Sequence, residues 1–362
     1  MLRDQALRLY HTLRLYSDLP HMYLLLQFRE LRKEFYGGLW PQAARNVGAE
    51  FLPWKFGFDR IRRGGLMTVV KGGRVMLDDQ VTLNVLGNKV LTYELMAAKG
   101  VNIPRYGVFG AGNLERAKAF LAEVGGPVVV KPAGGTGSGQ GVITGIKTAP
   151  ELVKACRYAA RFAARSGSEL LVEEHVDGDS YRLLFLDGEF VDAIRRDPPS
   201  VTGDGRRSLK ELVAAENRRR LKEKPISALS PLLFNKECSN KLAALGLKAG
   251  TVLEAGRTVA VKQAINENAA RDNRNVKSEI HRDIIEAGSR LAKDLGVRFA
   301  GLDLISTDVS APLSAGKCIF SEINTTPGIH HHYLLRDPAT ITPVAELVLE
   351  HMFSKRQGVM VL

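Results

Sequence analysis

Two groups of residues in this 362-residue chain have the types and spacing to do chemistry. The first lies in the stretch Val128 to Ile146, VVVKPAGGTGSGQGVITGI, where a β-branched run ends at Lys131-Pro132 and a loop of small residues follows. Glycines recur through that loop up to Gly141, so its backbone N–H groups can close on a phosphate while Lys131 supplies a cation at its mouth. A plain hairpin tip is the other reading, but repeated glycine costs backbone entropy that such a tip need not bear. The second group is Asp303 with Glu322 and Asn324, carried by GLDLIS and SEINTTPG. Side chains alternate along a strand, so Glu322 and Asn324 share a face. If Asp303 on a neighbouring strand points the same way, two carboxylates and an amide oxygen converge. Hard oxygen donors of that kind suit Mg²⁺, which keeps waters and shares its shell with phosphates. An ion-paired structural couple is the alternative.

The elements that must position these groups are legible in outline. Neither G-x-x-x-x-G-K-[ST] nor G-x-G-x-x-G occurs in the loop, and both of those lead from a strand into a helix N-terminus. Here VVVK runs into GVITGI, so the loop is expected at the tip of a β-hairpin. Phe299 to Ser306 and Lys317 to Asn324 read as a strand pair. Leu170 to Val176, Tyr181 to Leu186 and Glu189 to Arg195 read as strands, the last two joined by the turn Asp187-Gly188. Helices are expected from Asn88-Lys89 to Gly100, over Leu114 to Val124, from Pro150 to Ser166, from the capping box Ser208/Glu211 to about Arg220, and over Ser278 to Leu295. Residues 1–35 carry Leu13, Leu15, Leu19, Tyr23, Leu24, Leu26 and Phe28, too dense for a solvated tail, with a break at Leu19-Pro20. That segment is open to two readings, a partner or homodimer surface and simple docking on the body. Gly37 to Asp79 reads as a mixed segment ending in a hairpin of Leu66 to Val70 with Arg74 to Leu77.

Composition sets the bounds. Hydrophobic content is 45% and charged content 25%, ordinary for a globular chain of two or three subdomains. Cys156, Cys238 and Cys318 show no metal or disulfide spacing, and with no apolar run near the roughly 18 residues of a membrane span and no signal-like N-terminus a cytoplasmic protein is expected. The net charge of +12 suits acidic ligands. It is scattered, with Arg60 to Arg63 and Arg218 to Arg220 the densest clusters, so nucleic acid is not the expected partner, nor is a membrane.

The paired strands GLDLIS and SEINTTPG are similar to the metal-binding strands of the ATP-grasp superfamily. The run from LLVEEHVDGDSYRLLF to the helix after VTGDGRRS resembles, within it, the glutathione-synthetase-like amide-ligase domain of cyanophycin synthetases and related peptide ligases. The likeness spans about Asn88 to Tyr333. It implies an α/β (α+β) ATP-grasp fold that holds ATP between two α+β subdomains, here behind a helical N-terminal extension. The division expected is 1–87 for that mixed extension, 88–127 for a linker and the start of the fold, 128–195 for the lid and adenine subdomain, and 196–362 for a C-terminal subdomain with the metals. By the same resemblance Lys89 and Lys131 would touch the α- and β-phosphates, and Gly135, Thr136, Gly137, Ser138, Gly139 and Gly141 would cover the β- and γ-phosphates. Glu173, the backbone of Glu174 and Val176 would hold adenine. The ribose carboxylate of G-x-[DE]-Y-R is displaced here to Asp179, with Ser180 in its usual place. Asp303, Glu322 and Asn324 would bind two Mg²⁺ ions. Lys262 and Asn266 would serve the transferred phosphoryl group. Given that chemistry, Arg182, Arg195 and Arg196 are candidates to grip substrate carboxylates, Arg195 among the catalytic residues.

His330, His331 and His332 follow Pro327-Gly328. Adjacent residues diverge and lack the spacing of a metal pair, so they are expected to line or pack the acceptor pocket, with a base among the alternatives. The activity implied is an ATP-dependent carboxylate–amine ligation through an acyl phosphate, joining small-molecule or peptide substrates. A small-molecule kinase or a non-catalytic ATP-binding protein are the rival readings. Polymer synthetases of the family pair this domain with a Mur-ligase-like half and its own Walker loop; neither is present in these residues, so the polymer enzyme itself is not expected.

Overall fold

The computed structural model describes residues 19–110, 112–134, 141–163, 169–263 and 265–362. The loop residues Gly135, Thr136, Gly137, Ser138 and Gly139 lie outside that set, as do Leu13 and Leu15.

The first described element is a 28-residue helix, α1 (Leu19–Asn46). Pro20 sits in its first turn, where a missing N–H costs nothing. The helix continues through Gly37, Gly38 and Pro41, contrary to the expected mixed segment. Pro41 forfeits a hydrogen bond, but Tyr36, Trp40, Ala43 and Ala44 recur on one buried face, and burial of that face offsets the loss.

Strands β1 (Glu50–Pro53), β2 (Asp59–Arg63) and β3 (Leu66–Val70) follow. Arg74 to Leu77 does not pair with β3 as expected; the bridge Lys71–Arg74 forms just beyond the end of β3, and β3 lies between β2 and the C-terminal strand. Asp79 and Asn88 cap α2 (Gln80–Leu86) and α3 (Lys89–Ala98) by accepting from the first free backbone N–H groups.

Next come β4 (Tyr106–Gly110), α4 (Leu114–Val124), β5 (Val128–Pro132), β6 (Ile143–Ile146), α5 (Ala149–Ala163) and β7 (Glu169–Glu174). β5 and β6 pair antiparallel as the expected hairpin. β8 (Asp179–Leu186) and β9 (Glu189–Arg196) are joined at Asp187 and Gly188, both at positive φ, as a tight hairpin turn requires. β10 (Ser200–Thr202) precedes α6 (Leu209–Lys222), where the capping box between Ser208 and Glu211 is formed. The chain closes with α7 (Lys236–Ala244), β11 (Thr258–Ala260), β12 (Asn273–Asn275), α8 (Arg282–Asp294), β13 (Phe299–Ser306), β14 (Cys318–Asn324), α9 (Val344–Lys355) and β15 (Met360–Val361).

These elements form two compact units, each assembled from separated stretches of chain. One takes in Pro104–Val176 and Pro198–Asn268, with the start of α1. Its four-stranded antiparallel sheet has the order β4-β7-β5-β6. Val128, Val130, Leu170 and Val172 on one face pack with Ala117 and Leu121 of α4 and Leu152, Ala155 and Ala159 of α5. A second core gathers Val201 and Val259 of β10 and β11 with Leu212 of α6 and Leu242 of α7.

The other unit comprises Leu31–Ile103, Asp177–Asp197 and Ala269–Leu362. It holds the sheet β1-β2-β3-β15 and a five-stranded antiparallel sheet, β12-β9-β8-β13-β14. Helix α8 covers the apolar face of the latter so closely that a Cβ on Gly288 would lie 2.6 Å from the Phe185 ring and 3.1 Å from Leu302. The opposite face is polar.

Candidate functional site

The polar face of the five-stranded sheet follows from strand register. Asp303 of β13 stands opposite Arg182 of β8 on one side and Glu322 of β14 on the other. Gly301 stands opposite Asn324, and Ser180 opposite Arg196. Alternation then sets Ser180, Arg182, Arg196, Asp303, Glu322 and Asn324 on one face. The Arg182 guanidinium donates to both Asp303 oxygens, at 2.6 and 2.7 Å, a bidentate fork. Arg196 Nη2 donates to the same carboxylate at 3.0 Å and to Ser180 Oγ at 3.3 Å. Asn324 Nδ2 reaches Asp303 at 3.3 Å, and Lys89 Nζ meets Glu322 at 2.6 Å.

All three members of the Arg–Asp–Arg group are buried. Burial opposes the charge on Asp303, yet Arg182 and Arg196 together hold its carboxyl well below the usual carboxylate range. Burial and the neighbouring Arg182 lower the Arg196 guanidinium to about 10, while for Arg182 the pull of Asp303 outweighs burial and raises it. Arg196 Nε is buried without a hydrogen-bond partner. Two guanidinium groups therefore share one carboxylate, an arrangement with unspent capacity for a further anion.

A turn roofs this face. Gly301 has no side chain where Pro327 crosses it, since a Cβ there would stand 2.9 Å from Pro327. The chain then makes a 3₁₀ turn, Ile329–His332. His332 is sealed in the interior against Asp192, Nδ1 to Oδ2 at 2.7 Å, and Asp192 also accepts from Asn275 at 2.9 Å. His330 and His331 stack with ring centroids 4.1 Å apart. Of the three imidazoles, His332 is structural; His330 keeps a small exposed fraction.

In the other unit, the face of the four-stranded sheet turned away from α4 and α5 carries Lys131 and Glu173. Glu173 stands opposite Val129, two residues before Lys131, and Lys131 Nζ meets its carboxylate at 2.7 Å. Glu174, at the strand end, accepts from the Arg105 backbone N–H at 3.0 Å and from Nε at 2.8 Å, and half-buried Val176 lies just beyond. Gly141, the described end of the glycine loop, has φ +79° with Pro132 and Phe162 3.0 Å from any Cβ, so only glycine fits. Lys262 is almost wholly buried, 2.6 Å from Glu267 and 3.7 Å from Glu237, with half-buried Asn266 in the turn between Lys262 and Glu267. Burial pushes the Glu267 carboxyl up, against the pull of Lys262.

Not every expected residue joins these clusters. Arg195 points off the polar face, bound to Asp179 at 2.9 Å and Asp197 at 2.8 Å. Asp179 is thus an ion-pair partner of Arg195. Sequence reasoning missed Asp192, Glu237, Glu267 and Tyr36, which touches His330; nothing local in the sequence marks any of them.

Among the described residues no three His, Cys, Asp or Glu side chains gather as a metal site. Asp303, Glu322 and Asn324 offer two carboxylates and an amide instead. Their hard oxygens fit Mg²⁺, and the cations now on both carboxylates occupy the electrostatic role a divalent ion would share. Glu322, partly exposed beside Lys89, fits more readily than Asp303, whose two oxygens already serve guanidinium groups.

Residues 88–181 match the carbamoyl-phosphate synthase L chain, ATP binding domain. The chain is 29% identical over 275 residues to cyanophycin synthetase of Trichormus variabilis, covering 75% of this chain and 29% of that protein. It is 27% identical over 314 residues to the glutathione biosynthesis bifunctional protein GshAB of Enterococcus faecalis, covering 86% of this chain and 41% of that protein. The crystal structure of a bifunctional glutathione synthetase from Pasteurella multocida superposes with a TM-score of 0.53 at 23% identity, over 85% of this chain and 41% of that one. The chain thus spans under a third of the length of the cyanophycin synthetase and about two fifths of the GshAB protein. The fold is of the ATP-grasp kind, with a helical segment near the N-terminus, and the sequence resembles the amide-forming ATP-grasp ligases.

Proposed function

We propose that the protein is an ATP-dependent carboxylate–amine ligase working through an acyl phosphate. The observation that carries this reading is the polar face on which Asp303 and Glu322 stand opposite each other beside Asn324, backed by two buried arginines that share a single carboxylate. The resemblance to cyanophycin synthetase and GshAB supports it.

Lys131, Glu173, Glu174, Val176 and the glycine loop from Gly135 to Gly141 are assigned to nucleotide binding. Lys89 takes a phosphate once relieved of Glu322. Mg²⁺ at Glu322, Asn324 and Asp303 would supply neutralisation of phosphoryl charge. Arg182 and Arg196 hold the acid's anionic oxygens, using the capacity left at Arg196 Nε. Lys262 is the cation assigned to the transferred phosphoryl group, with Asn266 beside it. A carboxylate oxygen of the acid attacks the γ-phosphorus and ADP leaves. The amine then attacks the acyl carbon, and phosphate departs with that oxygen. Exclusion of water protects the acyl phosphate in between.

Cys156, Cys238 and Cys318 are buried free thiols, as a reducing cytoplasm would keep them. No helix among the described residues is long and apolar enough to cross a membrane.

Product analysis tests the reading. With panels of amino acids and small acids as acceptors and amines as nucleophiles, ATP should yield ADP and free phosphate one to one, only when a carboxylate is present. ADP without free phosphate would indicate a kinase. AMP and pyrophosphate would indicate adenylation and end the proposal.

A further inference from the structure

Tyr36 ties α1 to the turn that roofs the polar face. Its hydroxyl lies 3.0 Å from His330 Nδ1, with the two rings edge-on at 6.2 Å. The surroundings are shaped to hold it there. Gly73 has no side chain because a Cβ would stand 2.7 Å from the Tyr36 hydroxyl. Trp40, one helical turn on, donates through Nε1 to the Gly72 carbonyl at 2.7 Å. Phe35 packs edge-on to Tyr36 and to Tyr333, just past the turn. Gly328 likewise leaves room for the imidazole to fold back, since a Cβ there would lie 2.6 Å from His330 Cε1.

The hydrogen-bond roles can be assigned. Burial pushes the Tyr36 phenol up to about 12, so it keeps its proton, and among the described residues the hydrogen-bond partner of its hydroxyl is His330 Nδ1. A proton on Nδ1 would leave that buried O–H without an acceptor, which is costly, so the O–H donates to His330 Nδ1. Burial, Arg32 of α1, Arg182 of β8 and His332 all act against a positive charge on His330. Its one ring proton then belongs on Nε2.

We infer that Tyr36 is a positioning residue that locks His330 as the Nε2–H tautomer, making His330 a hydrogen-bond donor beside Arg182 for an anionic oxygen of the acid or acyl phosphate. This rests on the ligase reading for its ligand, though not for its tautomer. It gives the N-terminal helix a role in the site and removes His330 from the candidates for a base, because a protonated Nε2 has no lone pair with which to take a proton from the amine.

The tautomer is measured without turnover. The full chain labelled with ¹⁵N-histidine should show, at neutral pH, a His330 ring with Nε2 protonated and Nδ1 bare, assigned by its loss in His330→Gln. In Tyr36→Phe that signal should move toward a mixture of tautomers while the fold is retained. Nδ1 protonation in the wild type, or an unchanged tautomer in Tyr36→Phe, would overturn the proposal even if ligation is found. If the tautomer is as inferred but no acid supports phosphate release, the ligase reading fails and the lock stands. Where ligation is found, Tyr36→Phe should lower kcat about tenfold, the worth of one hydrogen bond, with KM for ATP within about twofold. His330→Gln, which keeps an N–H near the position of Nε2, should retain more activity than His330→Ala. Equal loss in both variants would restore the base and contradict the donor role.

Discussion

In the four-stranded sheet Lys131 and Glu173 meet across neighbouring strands, cation to carboxylate, at 2.7 Å. In the five-stranded sheet Arg182 and Arg196 converge on Asp303, and Arg196 Nε is left buried without a partner. Both arrangements take charge out of water, which is costly unless matched. Where the numbers match, the pair can persist through a catalytic cycle as part of the scaffold. Where cations exceed carboxylates, the surplus favours whatever anion can reach it. The contrast assigns holding to one sheet and chemistry to the other, and substitutions can break it or sharpen it.

The largest effect is expected at Asp303. Replacement by Asn leaves two buried guanidinium groups without a carboxylate and should cost about 3–5 kcal/mol of stability, read from urea unfolding. The same group predicts an acid limb. Its folded pKa lies below the unfolded value of about 3.9, so its stabilisation is complete above that value and is lost as pH falls through the depressed folded one. The Asp303→Asn curve should lack that part of the acid dependence. A wild-type-like limb in the variant would mean that another carboxylate supplies it.

Glu322→Gln should come next. It nearly keeps size and hydrogen-bonding capacity but removes a charge from the proposed metal set. Turnover should fall by about 3–4 kcal/mol in transition-state terms, with nucleotide affinity less affected. Wild-type turnover in a folded variant would reduce Glu322 to a partner of Lys89. The smallest effect belongs to the matched pair. Glu173→Gln should weaken ATP binding about tenfold, near the worth of one charge-assisted hydrogen bond, and leave kcat within a few-fold. If Glu173→Gln instead abolished turnover at saturating ATP, the division of labour between the sheets would be wrong.

The parts of this arrangement that could be read from the sequence are those set by local chemistry. The hairpin of Val128–Pro132 with Ile143–Ile146, the turn at Asp187-Gly188 and the capping box of Ser208 with Glu211 each follow from residues within a few positions of one another. Asp303 and Glu322 on one face follow from strand alternation once their strands pair. The rest depends on distant residues. Arg182 lies 121 positions from Asp303, and Tyr36 lies 294 positions from His330. Helix α1 passes through Gly37, Gly38 and Pro41 because Trp40, Ala43 and Ala44 are buried by the surrounding fold, which overrides weak local propensity. Strand β3 takes its second neighbour from the C-terminus, where Met360 and Val361 pair with Met67 and Leu66.

The central claim is that a carboxylate is activated as an acyl phosphate, and an isotope decides it directly. The acid found to support phosphate release would be supplied with ¹⁸O in its carboxylate, together with ATP, Mg²⁺ and the amine. The account predicts that one ¹⁸O per turnover appears in inorganic phosphate, carried off when the C–O bond breaks, with none in ADP. Label in AMP, or phosphate free of label, would contradict it.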